Sequence, residues 1–498
     1  MEMILNEYHK KHIKSLAFLL LLLFSLTVAA QDVIIKRGCR VGTPRPEGMA
    51  LLHRTTGGVT KQTGGDFYHG ERHQLTVMAE LNDRTFKGDE TATLAQWNKI
   101  FNTKNLSEAP FKGSVHDYFY TQSYGQFNLI FDLVYVKVKG DTEKYASDFN
   151  DEKSQYLVQD IMEVLQTRNI DWSLYDWNGD GFVNQLLIIY AGKYDNMSSD
   201  PMIFPHQWWM SEHRKDLQPD VYCDPIPVTY GGKEYKIDCY CALAELTQNN
   251  DYGSFGTICH EYTHCFGFPD LYDVSISYVG GWDLMSYGNI NGDGYCPAGY
   301  SAHERWMMGW LTPTELKEAT TVTDMPALND EPLAYLIRND GFLNEYYIVE
   351  NRQQKGWDEK LPGKGITIFH VDFDPDLWVS LKDKVNKSSR QHYLIFPANN
   401  ISFLYSGWAY PYNDNNQLTN TSSPAAILWN ANTDGTLFMN KPITNITVQD
   451  GKASFDFMKS ETAIGIQTVT GIPQVLYEYG PLRFVRMTDG TIKKVMKH

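Results

Sequence analysis

Residues 260–270 read HEYTHCFGFPD, and their spacing is suited to holding a metal. Residues four apart on an α-helix lie one turn above each other, so His260 and His264 share a face. Two imidazoles so placed can each turn a nitrogen toward one Zn²⁺, while Glu261 projects beside them as a general base for a water. Gly267 permits the positive φ that ends a helix and folds the chain back beneath the metal. Asp270, just after Pro269, then reaches a third coordination position, where zinc accepts a carboxylate oxygen. The fourth position stays open for water, whose pKa zinc lowers to about 7. An isolated HExxH match is weak, because the same letters arise by chance on an ordinary polar helix.

Two additions strengthen it. The GxxD extension ends where metzincins carry their third ligand, and GGWDLMSYG at 280–288 resembles a Met-turn, with Met285 as an apolar floor under the zinc. Met285 alone reads equally as core. Tyr287, two residues on, resembles a tyrosine that some metzincins place near the metal, where it would donate to a tetrahedral oxyanion; a packed turn aromatic is the plainer reading. The third ligand stays open. Asp273 and Asp283 are nearby carboxylates, and a gluzincin pattern would recruit Glu304 from SAHERWMMGW. The Gly267 turn and Met285 favour Asp270.

HEYTHCFGFPDLYD, GGWDLMSYG and GYCPAGYSAHERWMMGWLTP together resemble the immune inhibitor A family of secreted zinc metallopeptidases. Further similar stretches run in the same order: TVMAELNDRTF, SVHDYFYTQSYGQF, YDWNGDGFVN, FPHQWWM and YYIVENRQQKGWDEKLPGKGITIFHVD. The likeness covers about 74–372 well and the rest loosely. It implies a zincin-type catalytic domain, zinc as cofactor, endopeptidase activity and protein or peptide substrates.

A second constellation is DWNGDGFVN at 176–184. Asp176, Asn178 and Asp180 alternate as oxygen ligands, Gly181 makes the sharp turn, Phe182 offers its carbonyl and Asn184 another oxygen, as in the first part of a calcium loop. Leu187 stands where an EF-hand has its bidentate Glu, so Ca²⁺ competes here with a plain Asx-rich turn. Cys39, in RGCRVG, suggests a latency thiol that caps the open zinc position; a disulfide is the duller alternative. Of seven cysteines, Cys223, Cys239, Cys241, Cys259, Cys265 and Cys296 cluster around the motif, which suggests local covalent bracing. His116, His206 and His370 sit among apolar and aromatic residues and read as satisfied core histidines.

The elements that must position these groups read as α+β. A strand is expected at 74–81, helices near 91–102 and 114–124, a strand at 126–138, a helix in SQYLVQDIMEVLQTR and a buried strand in VNQLLIIYAG. Ser114 with Asp117 forms a capping-box pattern, Gly125 stops that helix, and Ser254 is a candidate cap for the motif helix. Substrate is expected to lie extended against an edge strand near CYCALAEL, 239–246. Past 315 short β-rich runs separated by Asn, Gly, Pro and Asp suggest a sandwich-like all-β domain. The organisation predicted is a signal peptide at 1–30, a leader or pro-segment at 31–72, a zincin/metzincin-like catalytic domain at 73–315, the β-sandwich-like domain at 316–459 and a tail at 460–498.

Lys10, Lys11 and Lys14, the run LAFLLLLLFSL and the small residues Val28 and Ala30 describe a secretory signal cleaved before Gln31. The run falls short of the about 20 residues that span a bilayer, so no membrane span is expected after cleavage. The destination is secretion or the cell surface, and the closing DGTIKKVMKH resembles the end of a secretion-sorting tail as well as a final strand. With 44 basic against 60 acidic residues the chain is no nucleic-acid binder. The rival reading is a secreted binding protein with a vestigial peptidase domain, but such a site would be expected to have lost Glu261 or a histidine. A purely structural zinc needs a fourth protein ligand.

Overall fold

Apolar runs that are greasy at every position, rather than at alternate ones, build the centre of the molecule. The structure, a computed structural model, describes residues 68–146, 153–193, 203–212, 224–247, 249–253, 255–272, 277–374, 377–378, 385–386 and 390–459, and the backbone of three strands between 474 and 496. The expected signal peptide, most of the leader with Cys39, and Cys223, Ser254 and Asp273 lie outside these residues.

Strands β1 (Gly70–Glu80), β2 (Phe127–Lys137), β4 (Leu186–Lys193) and β8 (Cys239–Leu246) pair in parallel, and β5 (His206–Trp209) closes the sheet antiparallel, in the order β2-β1-β4-β8-β5. Successive side chains leave opposite faces of a strand. Met78, Leu187, Ile189, Cys241 and Leu243 therefore enter one buried cluster, and Val77, Ile188, Tyr240 and Ala242 another. A parallel sheet covered on both faces needs such continuous apolar runs. Helices Glu90–Asn102, Val115–Gln122 and Phe255–Cys265 cover the first face with Trp97, Phe119, Ile258 and Tyr262. Helix Ser154–Leu165 covers the second with Leu157 and Ile161. Each such side chain contributes about 1.5–3 kcal/mol by leaving water. The Ser114–Asp117 capping box forms as read, and Gly125 takes φ +77° just past that helix.

This arrangement corrects the placement of the substrate strand. β8 is interior, paired to β4 on one side and to β5 on the other. Its full burial was the sign of two covered faces. The covalent bracing expected around the motif is absent among the described cysteines: Cys239, Cys241, Cys259, Cys265 and Cys296 are all buried thiols.

A small sheet lies beside this centre, with β3 (Phe182–Val183), β7 (Lys233–Ile237) and β6 (Ile226–Tyr230) in the order β3-β7-β6. Farther along, β9 (Thr314–Glu315), β11 (Tyr335–Arg338), β12 (Glu345–Arg352), β13 (Gly365–Asp372) and β14 (Tyr393–Ile395) form a five-stranded sheet ordered β14-β13-β12-β11-β9. Strands β10 (Thr320–Met325), β16 (Lys452–Phe457) and β15 (Ile443–Gln449) form a three-stranded one ordered β10-β16-β15. One face of the larger sheet, with Tyr347, Val349 and Ile368, shares a cluster with Val322, Ile446 and Phe455 of the smaller. Its other face, with Tyr346, Ile348, Phe369 and Tyr393, joins the cluster that holds the motif helix. One continuous core therefore crosses from residues before 315 to residues after it. The backbone of β17 (Gln474–Tyr479), β18 (Leu482–Arg486) and β19 (Ile492–Met496) makes a separate antiparallel sheet. Among the described residues no helix is long and apolar enough to cross a membrane.

Candidate metal centre

The motif occupies the helix Phe255–Cys265, which is seated on both its sides. Toward the sheet, the Tyr262 hydroxyl donates to Gln74 Oε1 (2.8 Å) and accepts from Gln185 Nε2 (2.8 Å). Toward the turn at 287–290 the helix approaches so closely that a Cβ on Gly256 would lie 1.8 Å from the Asn289 carbonyl oxygen. At its end Gly267 adopts φ +99°, a conformation that suits glycine, and its N–H bonds to the His264 carbonyl. The chain then reverses and brings Asp270 back beneath the helix.

His260, His264 and Asp270 converge. The Nε2 atoms of His260 and His264 lie 3.2 and 3.3 Å from the same Asp270 Oδ1, and the imidazole rings are 4.8 Å apart at 85°. Their ligating atoms all fall within 4.8 Å of one another, the single such group among the described residues. Backbone carbonyls fix the tautomers. His260 Nδ1 donates to Leu284 O (2.7 Å) and His264 Nδ1 to Phe268 O (2.7 Å), so each Nε2 presents its lone pair inward. All three residues are at most 1% exposed, and neither Nε2 nor Asp270 Oδ1 has a hydrogen-bond partner.

Three electron-rich atoms pressed together in the dry interior require a positive charge among them. Burial pushes the His260 imidazole down, but the Asp270 carboxylate, 3.2 Å from its Nε2, prevails and carries it up to about 9. Burial likewise raises the Asp270 carboxyl, and the opposing pull of His264 and His260 holds it well below the ordinary carboxylate range. A divalent cation supplies that charge better than a proton, and two imidazoles with one carboxylate are an acceptable donor set for zinc.

Glu261 is fully buried on the same helix, close enough for its charge to raise His260. Met285 is also fully buried, and its carbonyl accepts from Leu271 N (2.8 Å), which ties the 283–285 turn to the residue after Asp270. Tyr287 is half-buried, with its ring 5.9 Å from Tyr272 and 6.4 Å from Tyr405. Asp283 and Glu304 stay out of the group. Asp283 Oδ1 accepts from Met285 N, and Glu304 caps its own helix, Ala302–Met307, by accepting from Ser301 N. Cys259 and Cys265 belong to the apolar core.

In the 176–184 loop most polar atoms are engaged locally. Asp176 Oδ2 accepts from Gly181 N, Asn184 Oδ1 from Trp177 N (2.6 Å) and Asp180 Oδ1 from Phe182 N (2.8 Å), while the Asn178 amide donates to Asp180 Oδ2. Only Asp176 Oδ1 among these is buried without a hydrogen bond, and Lys233 Nζ stands 3.5 Å from its other oxygen. His116, His206 and His370 hydrogen-bond to Asn128, to Phe204 O with Tyr240, and to Glu345. Sequence reading missed the carbonyls of Leu284 and Phe268. Backbone acceptors leave no side-chain signature.

Residues 98–311 match the family model described as Immune inhibitor A peptidase M6, catalytic domain. A curated relative, Immune inhibitor A of Bacillus thuringiensis subsp. alesti, is 25% identical over 260 residues, covering 45% of this chain and 34% of the relative. The chain thus spans about a third of that relative's length.

Proposed function

We propose that the chain is, through residues 98–311, a metallopeptidase of the immune inhibitor A type, to whose catalytic-domain model those residues match, and a zinc-dependent endopeptidase acting on protein or peptide substrates. The observation that carries this reading is the meeting of His260 Nε2, His264 Nε2 and Asp270 Oδ1 with no donor among them. His260, His264 and Asp270 would hold the ion, which when bound supplies Lewis acidity toward a carbonyl and acidifies a water. Glu261 would take a proton from water as general base and deliver it to the leaving amine. Leu284 and Phe268 keep both imidazoles in the ligating tautomer, and Met285 fills the space beneath. Tyr287 is assigned the oxyanion contact, since it follows Met285 by two residues and sits half-exposed.

The same proposal gives 73–315 a metzincin-like catalytic role and makes 316–459 a sandwich-like β-domain packed against it. It keeps the signal at 1–30, export to the medium or the cell surface, latency through Cys39, and a separate Ca²⁺ at 176–184 anchored by Asp176. The experiment is casein hydrolysis by the processed protein, lost in Glu261→Gln while stoichiometric zinc remains. A processed protein that holds zinc and cleaves nothing would make it a binding protein instead.

A further inference from the structure

Asp283 and Glu304 are both fully buried behind the metal centre. One oxygen of each is satisfied: Asp283 Oδ1 accepts from Met285 N (2.8 Å), and Glu304 Oε2 accepts from Ser301 N (2.7 Å) and Ser301 Oγ (3.1 Å). The other two, Asp283 Oδ2 and Glu304 Oε1, are buried and receive no donor. The two carboxyl groups are hydrogen-bond neighbours.

The charged groups around them offer no donor. Arg352 gives its N–H groups to Asp358, Glu350 and Gly299 O. Arg305 gives its own to Tyr300 O, Leu328 O, Gln122 and Asn329. The remaining titratable groups whose charge reaches the pair are Glu350 and the phenols of Tyr118, Tyr300 and Tyr393. Tyr393 is hydrogen-bonded to Ser301 and Tyr300 to Thr263, and burial pushes all three phenols well above their ordinary value. Two touching carboxylates in such a place cannot both ionise.

We propose that Asp283 and Glu304 hold one proton between them, and that this O–H···O bridge pins the 283–285 turn to helix Ala302–Met307 so that the Leu284 carbonyl stays on His260 Nδ1. Both are then positioning residues of the metal centre, a role that rests on the metal reading above. The bridge itself does not. Burial first, and then the charge of the partner on Glu304, push both carboxyls up, Asp283 to about 6 and Glu304 well beyond its ordinary value. The pair therefore keeps its shared proton at neutral pH.

Infrared difference spectra of the metal-free protein at neutral pH test the bridge directly. A protonated-carboxyl C=O band is expected in the native protein; it should vanish in Glu304→Gln and shift in frequency in Asp283→Asn, which replaces its carboxylate acceptor with an amide. No band change in either variant overturns the proposal, whatever the protein hydrolyses. Zinc titration tests the positioning. Glu304→Gln should bind zinc within about threefold of native, whereas Glu304→Ala should lose about 10–100-fold, the usual cost of an outer-shell partner. Equal losses in both variants, or native affinity in Glu304→Ala, overturn the positioning role while leaving the infrared result to stand by itself.

Discussion

The stretches 260–270 and 176–184 both offer ligand-type side chains at metal-like spacing, yet the structure treats them oppositely. In the first, two imidazole nitrogens and a carboxylate oxygen face one another with no donor. In the second, nearly every oxygen is engaged by the loop's own backbone or amides, and Asp176 Oδ1 alone is left buried without a hydrogen bond. A metal centre is thus marked by what its atoms leave undone. Ligand-type side chains at regular spacing occur in both stretches. The density of unspent, buried lone pairs differs between them, and it sets how strongly each should respond to a cation.

The largest effects should come from breaking the first site. Glu261→Gln removes a proton acceptor without touching the ligands, so casein hydrolysis should fall by roughly 10²–10⁴-fold while zinc content stays stoichiometric. Loss of zinc in that variant would mean that Glu261 supports the ligands rather than the chemistry. Asp270→Ala should weaken zinc by more than about 100-fold, beyond the outer-shell cost, because it removes the proposed third ligand and the charge between the imidazoles. Metal analysis after dialysis reads this, and full retention would move the third ligand elsewhere.

A smaller effect sharpens the contrast through pH. Ligating histidines must be neutral, and in the metal-free site Asp270 carries His260 up to about 9 from its ordinary 6.5. Zinc affinity should therefore drop about tenfold per unit as pH falls below that value. For the metal-free fold the sign reverses. The proton's stabilisation is complete below 6.5 and disappears as pH rises through about 9. Thermal midpoints with and without zinc should accordingly diverge toward alkaline pH, and parallel curves would contradict the arrangement.

The helix-borne part of this was legible in advance, because it is local. His260, His264 and the Gly267 stop are fixed by one helical turn and one positive φ, and Ser114 with Asp117 announced its own cap. Non-local pairing was harder to see. CYCALAEL suggested an edge on which a peptide could lie, yet its lack of polar alternation already pointed to a strand covered on both faces, as β8 is. EYYIVEN has the same texture for the same reason, with Tyr346 in one core cluster and Tyr347 in another. Glu304 was visible as a carboxylate near the motif, but only its capped oxygen and its proximity to Asp283 assign it outside the ligand set.

The smallest expected effect belongs to the 176–184 loop, and it decides whether that loop is a weaker version of the first site or a different object. With Asp176 Oδ1 as the single unspent buried oxygen, a calcium ion would have to draw its other ligands from Asn178, Asp180, the Phe182 carbonyl and Asn184, some already engaged. Binding should then be weak, of the order of the millimolar extracellular modules. Saturating calcium at ten times such a Kd adds only about 1.4 kcal/mol of stability. In calorimetry this is a shift of a few degrees that Asp176→Asn should erase while leaving hydrolysis by the zinc site unchanged. If calcium leaves the native midpoint where it was, the loop is an Asx-rich turn. Its acidic residues would then serve the backbone amides of Gly181 and Phe182, and Lys233, 3.5 Å from Asp176, would be the cation that its buried carboxylate engages.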